Sequence, residues 1–253
     1  MKYFKNVLSA ILLITAISLS ACSNASGGSS APKTSKYQVG DIVLNDGSYL
    51  RGATSVSDTD KAKAIAVIYK VSGATAYGVG LVHNRTGLAW CLNTANAYNK
   101  NITAIQCTAS GTAGNLTFTD DTDGSNNLAQ IGTFLASNSS TDDTSDATKY
   151  PAFYFAKKYK DQANTHVTGT VYESGWYLPT ISELFDIWKV KTTVDAASNL
   201  CGGSQFEGSY YWSSAQSANT NKSASTLAFN VGYWFNYGKE NGTYYVCCIR
   251  AFN

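Results

Sequence analysis

Histidine is scarce in this sequence: His83 and His166 are the only two, they lie far apart, and neither has an identifiable nucleophile partner. No cysteine spacing matches a zinc ribbon, so no structural metal is expected. There is no Gly-x-Ser-x-Gly elbow and no glycine-rich, phosphate-cradling loop before a helix, which removes the usual hydrolase readings. Charge is short as well. Ionisable Asp, Glu, Lys and Arg make up 14% of the chain and leave a net charge of +2, and no Lys/Arg block is interleaved with aromatics. A nucleic-acid partner is therefore not expected. With 44% hydrophobic residues over 253 positions the chain can still bury a sizeable core as one or two domains, so disorder is not the default.

The N-terminus is specific. Lys2 and Lys5 form a positive start, Val7 to Leu19 an apolar run, and Leu19-Ser20-Ala21-Cys22 places small residues before a cysteine. This resembles a bacterial lipobox. It implies a signal peptide over 1–21, lipidation of Cys22, and a membrane anchor that does not cross the bilayer, because the apolar run is too short to span it. Ser23 stands where an Asp would resemble an inner-membrane retention signal, so an outer-membrane, surface-exposed lipoprotein is expected. The stretch 22–36, small, polar and rich in Gly and Ser, reads as a flexible tether. Five cysteines remain beyond it, Cys91, Cys107, Cys201, Cys247 and Cys248. In an exported protein at most two bridges can form among them, and at least one thiol stays free or pairs elsewhere.

The folded part is expected over 37–253. Tyr37 to Leu44 reads as a strand, Asn45-Asp46-Gly47-Ser48 as a turn, and Ala64 to Val71 with Tyr77 to Val82 as an antiparallel pair. From Cys91 to Tyr150 the pattern weakens into polar loop, with one short helix around Asn126 to Leu135. The acidic run Thr119 to Gly124 fails as an EF-hand: with its glycine at loop position six, Thr119 falls at position one and Gln130 at position twelve. Two main helices are predicted. Pro151 to Lys160 opens on proline and closes on lysines. The other, following Pro179, has Thr180 and Glu183 at capping-box spacing and an apolar stripe of Ile181, Leu184, Phe185 and Trp188.

The last fifty residues, Gly203 to Asn253, concentrate Tyr, Trp, Phe, Asn, Ser and Gly. That composition suits a surface read by a partner, and it also suits the strands of a β-rich core. Period-two alternation divides it. Leu227, Phe229 and Val231 alternate with polar or small residues, Tyr233, Phe235 and Tyr237 put large aromatics on one face, and Tyr245, Cys247 and Ile249 alternate in a closing strand.

Three pieces occur in order: Gly175-Trp176-Tyr177-Leu178-Pro179-Thr180 leading into Glu183-Leu184, then Tyr211-Trp212-Ser213-Ser214, then Val246-Cys247-Cys248-Ile249-Arg250-Ala251-Phe252. Together they resemble the formylglycine-generating-enzyme branch of the C-type lectin-like fold, an α+β fold of short antiparallel strands, two main helices and much irregular loop. The match is good over 150–253 and loose before it. With the lipobox, the chain is similar to surface lipoproteins of the Treponema variable protein family, which a diversity-generating retroelement varies through adenine-directed copying errors.

The resemblance implies a non-enzymatic, ligand-binding surface protein, monomeric and without cofactor, whose partner is a protein and whose region 203–253 varies. Adenine-rich codons of the AAC type cannot become Trp, Lys, Glu, Gln or Met, so Trp234, Gln216 and Lys239 read as scaffold. Trp212, Ser213, Ser214, Phe229, Gly232, Arg250 and Phe252 sit at frame positions. The candidate ligand-binding positions are Phe206, Ser209, Tyr210, Ser217, Ala218, Asn219, Tyr233, Phe235, Asn236 and Tyr237. The Glu-Pro-Asn, Gln-Pro-Asp and Trp-Asn-Asp runs of calcium-dependent sugar binding are absent. A copper-dependent oxidase would need paired thiolates, and the adjacent Cys247 and Cys248 point to opposite faces of a strand. An invariant adhesin or structural envelope lipoprotein is the remaining alternative.

Overall fold

The computed structural model describes residues 34–253; the expected signal peptide, Cys22 and most of the tether lie outside the described residues. Twelve strands, all short, and five α-helices follow, among the described residues. The strands are β1 (Ile42–Leu44), β2 (Tyr49–Leu50), β3 (Ala64–Ser72), β4 (Thr75–Gly80), β5 (Asn84–Leu88), β6 (Cys107–Thr112) and β7 (Asn115–Asp120), then β8 (Tyr210–Gln216), β9 (Ser223–Ala228), β10 (Tyr233–Gly238), β11 (Tyr244–Val246) and β12 (Ile249–Phe252). The helices are α1 (Asp58–Lys61), α2 (Asn127–Ser137), α3 (Pro151–Lys157), α4 (Ile181–Lys189) and α5 (Lys191–Leu200). The α+β class is as expected.

Two five-stranded sheets carry the fold, in the orders β12-β4-β3-β1-β2 and β10-β9-β8-β11-β5, beside a separate β6-β7 hairpin. Pairing is antiparallel except between β8 and β11, which run parallel with Tyr245 opposite Tyr211. The expected β3–β4 pair is present. The strand expected from Tyr37 shortens to β1, because Gly40 takes a left-handed φ of +91° and Asp41 closes a turn onto Gln38. The closing strand expected from Tyr245 to Arg250 is two strands in different sheets. The chain leaves β11 at Val246 and joins β4 from Ile249 on, so Cys247 and Cys248 lie at the crossing.

Helix α4 shows how sequence sets structure here. Thr180 accepts the Glu183 amide while Glu183 accepts the Thr180 amide, a complete capping box. Ile181, Leu184, Phe185 and Ile187 are buried, contributing about 1.5–3 kcal/mol each by removal from water. Trp188 stacks on Phe185 with centroids 5.4 Å apart and donates to the Phe229 carbonyl at 3.2 Å. This ties α4 to the second sheet. Helix α5, rich in Thr, Val, Asp and Ser, was not expected; it forms because Val194, Ala197 and Ser198 are buried, tertiary packing overriding weak propensity.

The core is two apolar clusters. One joins Trp90, Tyr150, Phe153, Tyr159, Trp176 and Phe252; the other joins α4 to Tyr211, Leu227, Phe229 and Ile249. Cys248 belongs to the first and Cys247 to the second, the opposite orientation that strand alternation predicted. All five cysteines in the described part are buried and unbridged. Burial pushes the thiols of Cys91 and Cys107 up to about 12 and that of Cys201 up to about 11.

Candidate functional site

The second sheet presents a continuous row of aromatic rings. Alternation along β10 puts Tyr233, Phe235 and Tyr237 on one face, opposite Ala228, Thr226 and Ala224 of β9. Tyr210 of β8 is also opposite Ala228, and Trp212 opposite Thr226. Small residues on the middle strand therefore leave room for rings from both neighbours to meet above them. Tyr210 contacts Phe235 at 5.4 Å and Tyr237 at 5.3 Å between centroids, both edge to face. Tyr233 meets Phe235 at 5.4 Å. Such pairs contribute about 0.5–1.5 kcal/mol beyond their buried area, so the rings brace one another across β8 and β10.

Tyr244 completes the row. It lies 4.7 Å from Tyr237, 5.5 Å from Tyr210 and 5.0 Å from Trp212. Period-two alternation over the closing segment picks out Tyr245 and passes over Tyr244. The adjacent Tyr244-Tyr245 pair was the available signal, since neighbouring strand residues face opposite sides.

The ten candidate positions separate. Tyr210, Tyr233, Phe235 and Tyr237 form the half-buried row, and Ser209 precedes it, half-buried, its carbonyl accepting the Phe229 amide at 3.1 Å. Ala218 and Asn219 are exposed at the β8–β9 turn. Asn236 is half-exposed but faces the other side of the sheet, where its Oδ1 accepts from Ser225 at 2.9 Å. Two positions are corrected. Phe206 is 2% exposed, stacked on Phe229 at 4.2 Å and against Tyr211 at 5.0 Å and His83 at 4.6 Å. It is a core residue. Ser217 is also 2% exposed, because its Oγ caps the Asn219 amide at 3.1 Å and its own amide bonds Ser223.

Behind the row the frame is polar in places and largely paired, although Gln216 Nε2 and Trp234 Nε1 are buried without a hydrogen-bond partner. Trp212 is buried and donates to the Leu88 carbonyl at 2.7 Å. Lys239, also fully buried, donates to the carbonyls of Ala97 and Tyr98 at 3.0 and 3.2 Å and to Gln216 Oε1 at 3.2 Å. Lys239 and Gln216 are thus interior supports. Trp234 is half-buried. Glu183 is 5% exposed; it accepts the amides of Thr180 at 2.9 Å and Gly124 at 3.1 Å and the Tyr177 hydroxyl at 2.9 Å. Burial raises its carboxyl to about 7 against those donors. Burial likewise lowers His83 to about 3, so this imidazole is neutral and packed between Phe206 and Tyr211.

Elsewhere a cleft of about 590 Å³ is lined by Lys157, Lys158, Lys160, Glu173, Trp176 and Tyr177 among others. Lys158 pairs with Asp161 and Lys160 with Glu173, and no residue of the aromatic row lines it. Among the described residues no cluster of three or more His, Cys, Asp or Glu could hold a metal ion, and no helix is long and apolar enough to cross a membrane.

The molecule is thus a two-sheet α+β protein bearing an aromatic sheet face. No family model matches the chain and no curated protein matches it. Its fold is similar to the crystal structure of a fimbrial protein from Bacteroides ovatus ATCC 8483, with a TM-score of 0.55 and 16% identity. The likeness covers 85% of this chain and 49% of that one, so the chain spans about half the length of that protein. At this identity the likeness is one of fold.

Proposed function

We propose that this is a non-enzymatic ligand-binding lipoprotein, anchored through Cys22 at the outer membrane and displayed at the cell surface. Its fold is the C-type lectin-like fold of the formylglycine-generating-enzyme branch, and its C-terminal region is diversified by a retroelement as in the Treponema variable protein family. The observation that carries this reading is the row Tyr210, Tyr233, Phe235, Tyr237 and Tyr244, held half-exposed over the small residues of β9. Rigid aromatics on a preformed surface bind without a deep pocket and lose little entropy on doing so. The ligand is a protein, and no cofactor takes part.

An oxidase is disfavoured. Cys247 and Cys248 are both fully buried and pack into different clusters, so the two sulfurs do not face a common site as a two-thiolate copper centre requires. A second reading, an invariant adhesin or structural envelope lipoprotein, draws support from the likeness in fold to a fimbrial protein.

Sequencing the gene and its neighbouring DNA in sister isolates separates the two. Diversification requires a near-copy of the 203–253 coding stretch differing chiefly at adenines, with substitutions gathered at Ser209, Tyr210, Ala218, Asn219, Tyr233, Phe235, Asn236 and Tyr237. Substitutions spread evenly over buried and exposed positions would sink it, and none at all would favour the invariant reading.

A further inference from the structure

The aromatic row ends at an open sheet edge. β10 pairs with β9 alone, and residues of an antiparallel strand direct their amide and carbonyl alternately to the two sides. Two contacts fix the phase. The Lys239 amide donates to the Lys222 carbonyl at 2.9 Å on the β9 side, and the Phe235 carbonyl accepts from Thr226 Oγ1 of β9 at 3.3 Å. Odd-numbered residues therefore bond inward. Trp234, Asn236 and Gly238 send their amides outward, and Trp234 and Asn236 their carbonyls too. One outward group in the same phase is already in use: the Gly232 carbonyl accepts the amide of Gly114, at the tip of the β6–β7 hairpin, at 3.0 Å. At the far end the Gly238 carbonyl accepts the Asn241 amide. Between these, among the described residues, the outward backbone groups of Trp234 and Asn236 and the Gly238 amide have no partner.

Sheet edges are ordinarily blunted by charge, proline, irregularity or brevity. The other edges of the two five-stranded sheets follow that rule. β2 has two residues; β5 carries Arg85, a left-handed Gly87 and an irregular register with β11; β12 carries Arg250 and is bridged by Tyr177. β10, Tyr-Trp-Phe-Asn-Tyr-Gly, has none of these devices, and its register with β9 runs unbroken over six residues.

Taking the aromatic face as the binding surface, we propose that the partner is engaged through an extended polypeptide segment that adds alongside β10 as a sixth strand. Its main chain pairs with Trp234, Asn236 and Gly238, and its alternate apolar side chains lie against Tyr233, Phe235 and Tyr237. Main-chain pairing supplies affinity that does not depend on side-chain identity, while the aromatic row selects among sequences. The hairpin tip at Gly232 limits the gap to Trp234 through Gly238, which suits one slender segment. A two-fold pairing of β10 with itself would bring a second hairpin tip to the Gly238 end.

The test uses linear heptapeptides of alternating apolar and polar residues, selected from a displayed random library on the full chain. Strand addition requires that the selected peptides weaken at least tenfold when alternate peptide amides are N-methylated, and likewise on Asn236→Pro. It also requires that they slow hydrogen exchange at the Trp234, Asn236 and Gly238 amides. Methylating the peptide leaves the protein untouched, so the result stands even if the proline variant fails to fold. Peptides that weaken on Tyr210→Ala but ignore methylation of either amide set would overturn strand addition while leaving the aromatic-face reading in place. Failure to enrich any peptide, or a dimer of the chain abolished by Asn236→Pro, would overturn it as well.

Discussion

The Lys239 ammonium sits 4.7 Å from the centroid of the Trp90 ring, fully buried, with three carbonyl-type acceptors and no carboxylate paired to it. A cation held this way fastens the end of β10 to the segment from Cys91 to Tyr98, and it does so at a desolvation cost.

Burial lowers Lys239 from 10.5 to about 8. Between those values the unfolded chain binds more protons than the folded one, so stability rises with pH from about 8 to about 10.5. In Lys239→Met that rise is lost. The difference between the two urea-derived stability curves across this window is expected to be on the order of 1–3 kcal/mol.

Glu183 shows the opposite slope. Its carboxyl is raised from 4.5 to about 7 by burial, so the folded state holds the extra proton and this group's contribution falls as pH rises from about 4.5 to about 7. Glu183→Gln removes that slope yet can still accept the Thr180 and Gly124 amides, whereas Glu183→Ala strands both. Denaturation at pH 7 should show Ala costing about 2–4 kcal/mol and Gln much less.

Gly232→Ala is expected to be severe. Gly232 has φ of +62°, and an added Cβ would lie 2.3 Å from the Trp188 ring. Left-handed strain and overpacking together cost roughly 3 kcal/mol or more, read as a fall in the thermal midpoint. A milder change would mean that Trp188 yields freely.

The division between rings that hold the fold and rings the fold holds out can be measured. Truncation to Ala at Tyr211 or Phe229, both buried among aromatics, should cost about 3–5 kcal/mol, while Tyr210→Ala or Tyr237→Ala should cost roughly 1–2 kcal/mol. Equal costs would erase the division.

Thiol titration provides a further check. Cys91, Cys107, Cys201, Cys247 and Cys248 are buried and unbridged, so Ellman's reagent should find almost none of the five in the native protein and all five in guanidinium. Fewer than five under denaturing conditions would show a bridge.

Much of this arrangement was legible from residue order. The capping box at Thr180 and Glu183, the α4 stripe and the aromatic alternation of β10 all rest on local rules of period and hydrogen bonding. Phe206 and Ser217 were misplaced for a reason those rules do not contain. Phe206 lies in the loop before β8 and Ser217 just past its end, where no alternation exists to assign a side, and their burial comes from His83 and Phe229 in one case and from a turn onto Asn219 and Ser223 in the other. The Thr, Ser and Gly residues of the β6–β7 hairpin carry little apolar signal that would mark them as strands; the hairpin's place is set by α4, against which Phe118 packs at 5.6 Å from Phe185. Alternation carried through Cys247 and Cys248 hides Tyr244, because the chain changes sheets there.

That change of sheets has a consequence for chains interrupted before β12. β12 occupies the outer position of the sheet begun by β1, pairing with β4 from Ile249 to Phe252. The sheet begun by β1 is therefore completed by a strand that follows β8 to β11 in the chain, so it lacks that edge until the later segment is made. A nonsense codon or frameshift anywhere between Gly203 and Val246 deletes this strand and exposes the apolar surface that Phe252 covers. A chain that stops short of β12 loses the strand that pairs with β4 and leaves Ala76 to Val79 as an open sheet edge.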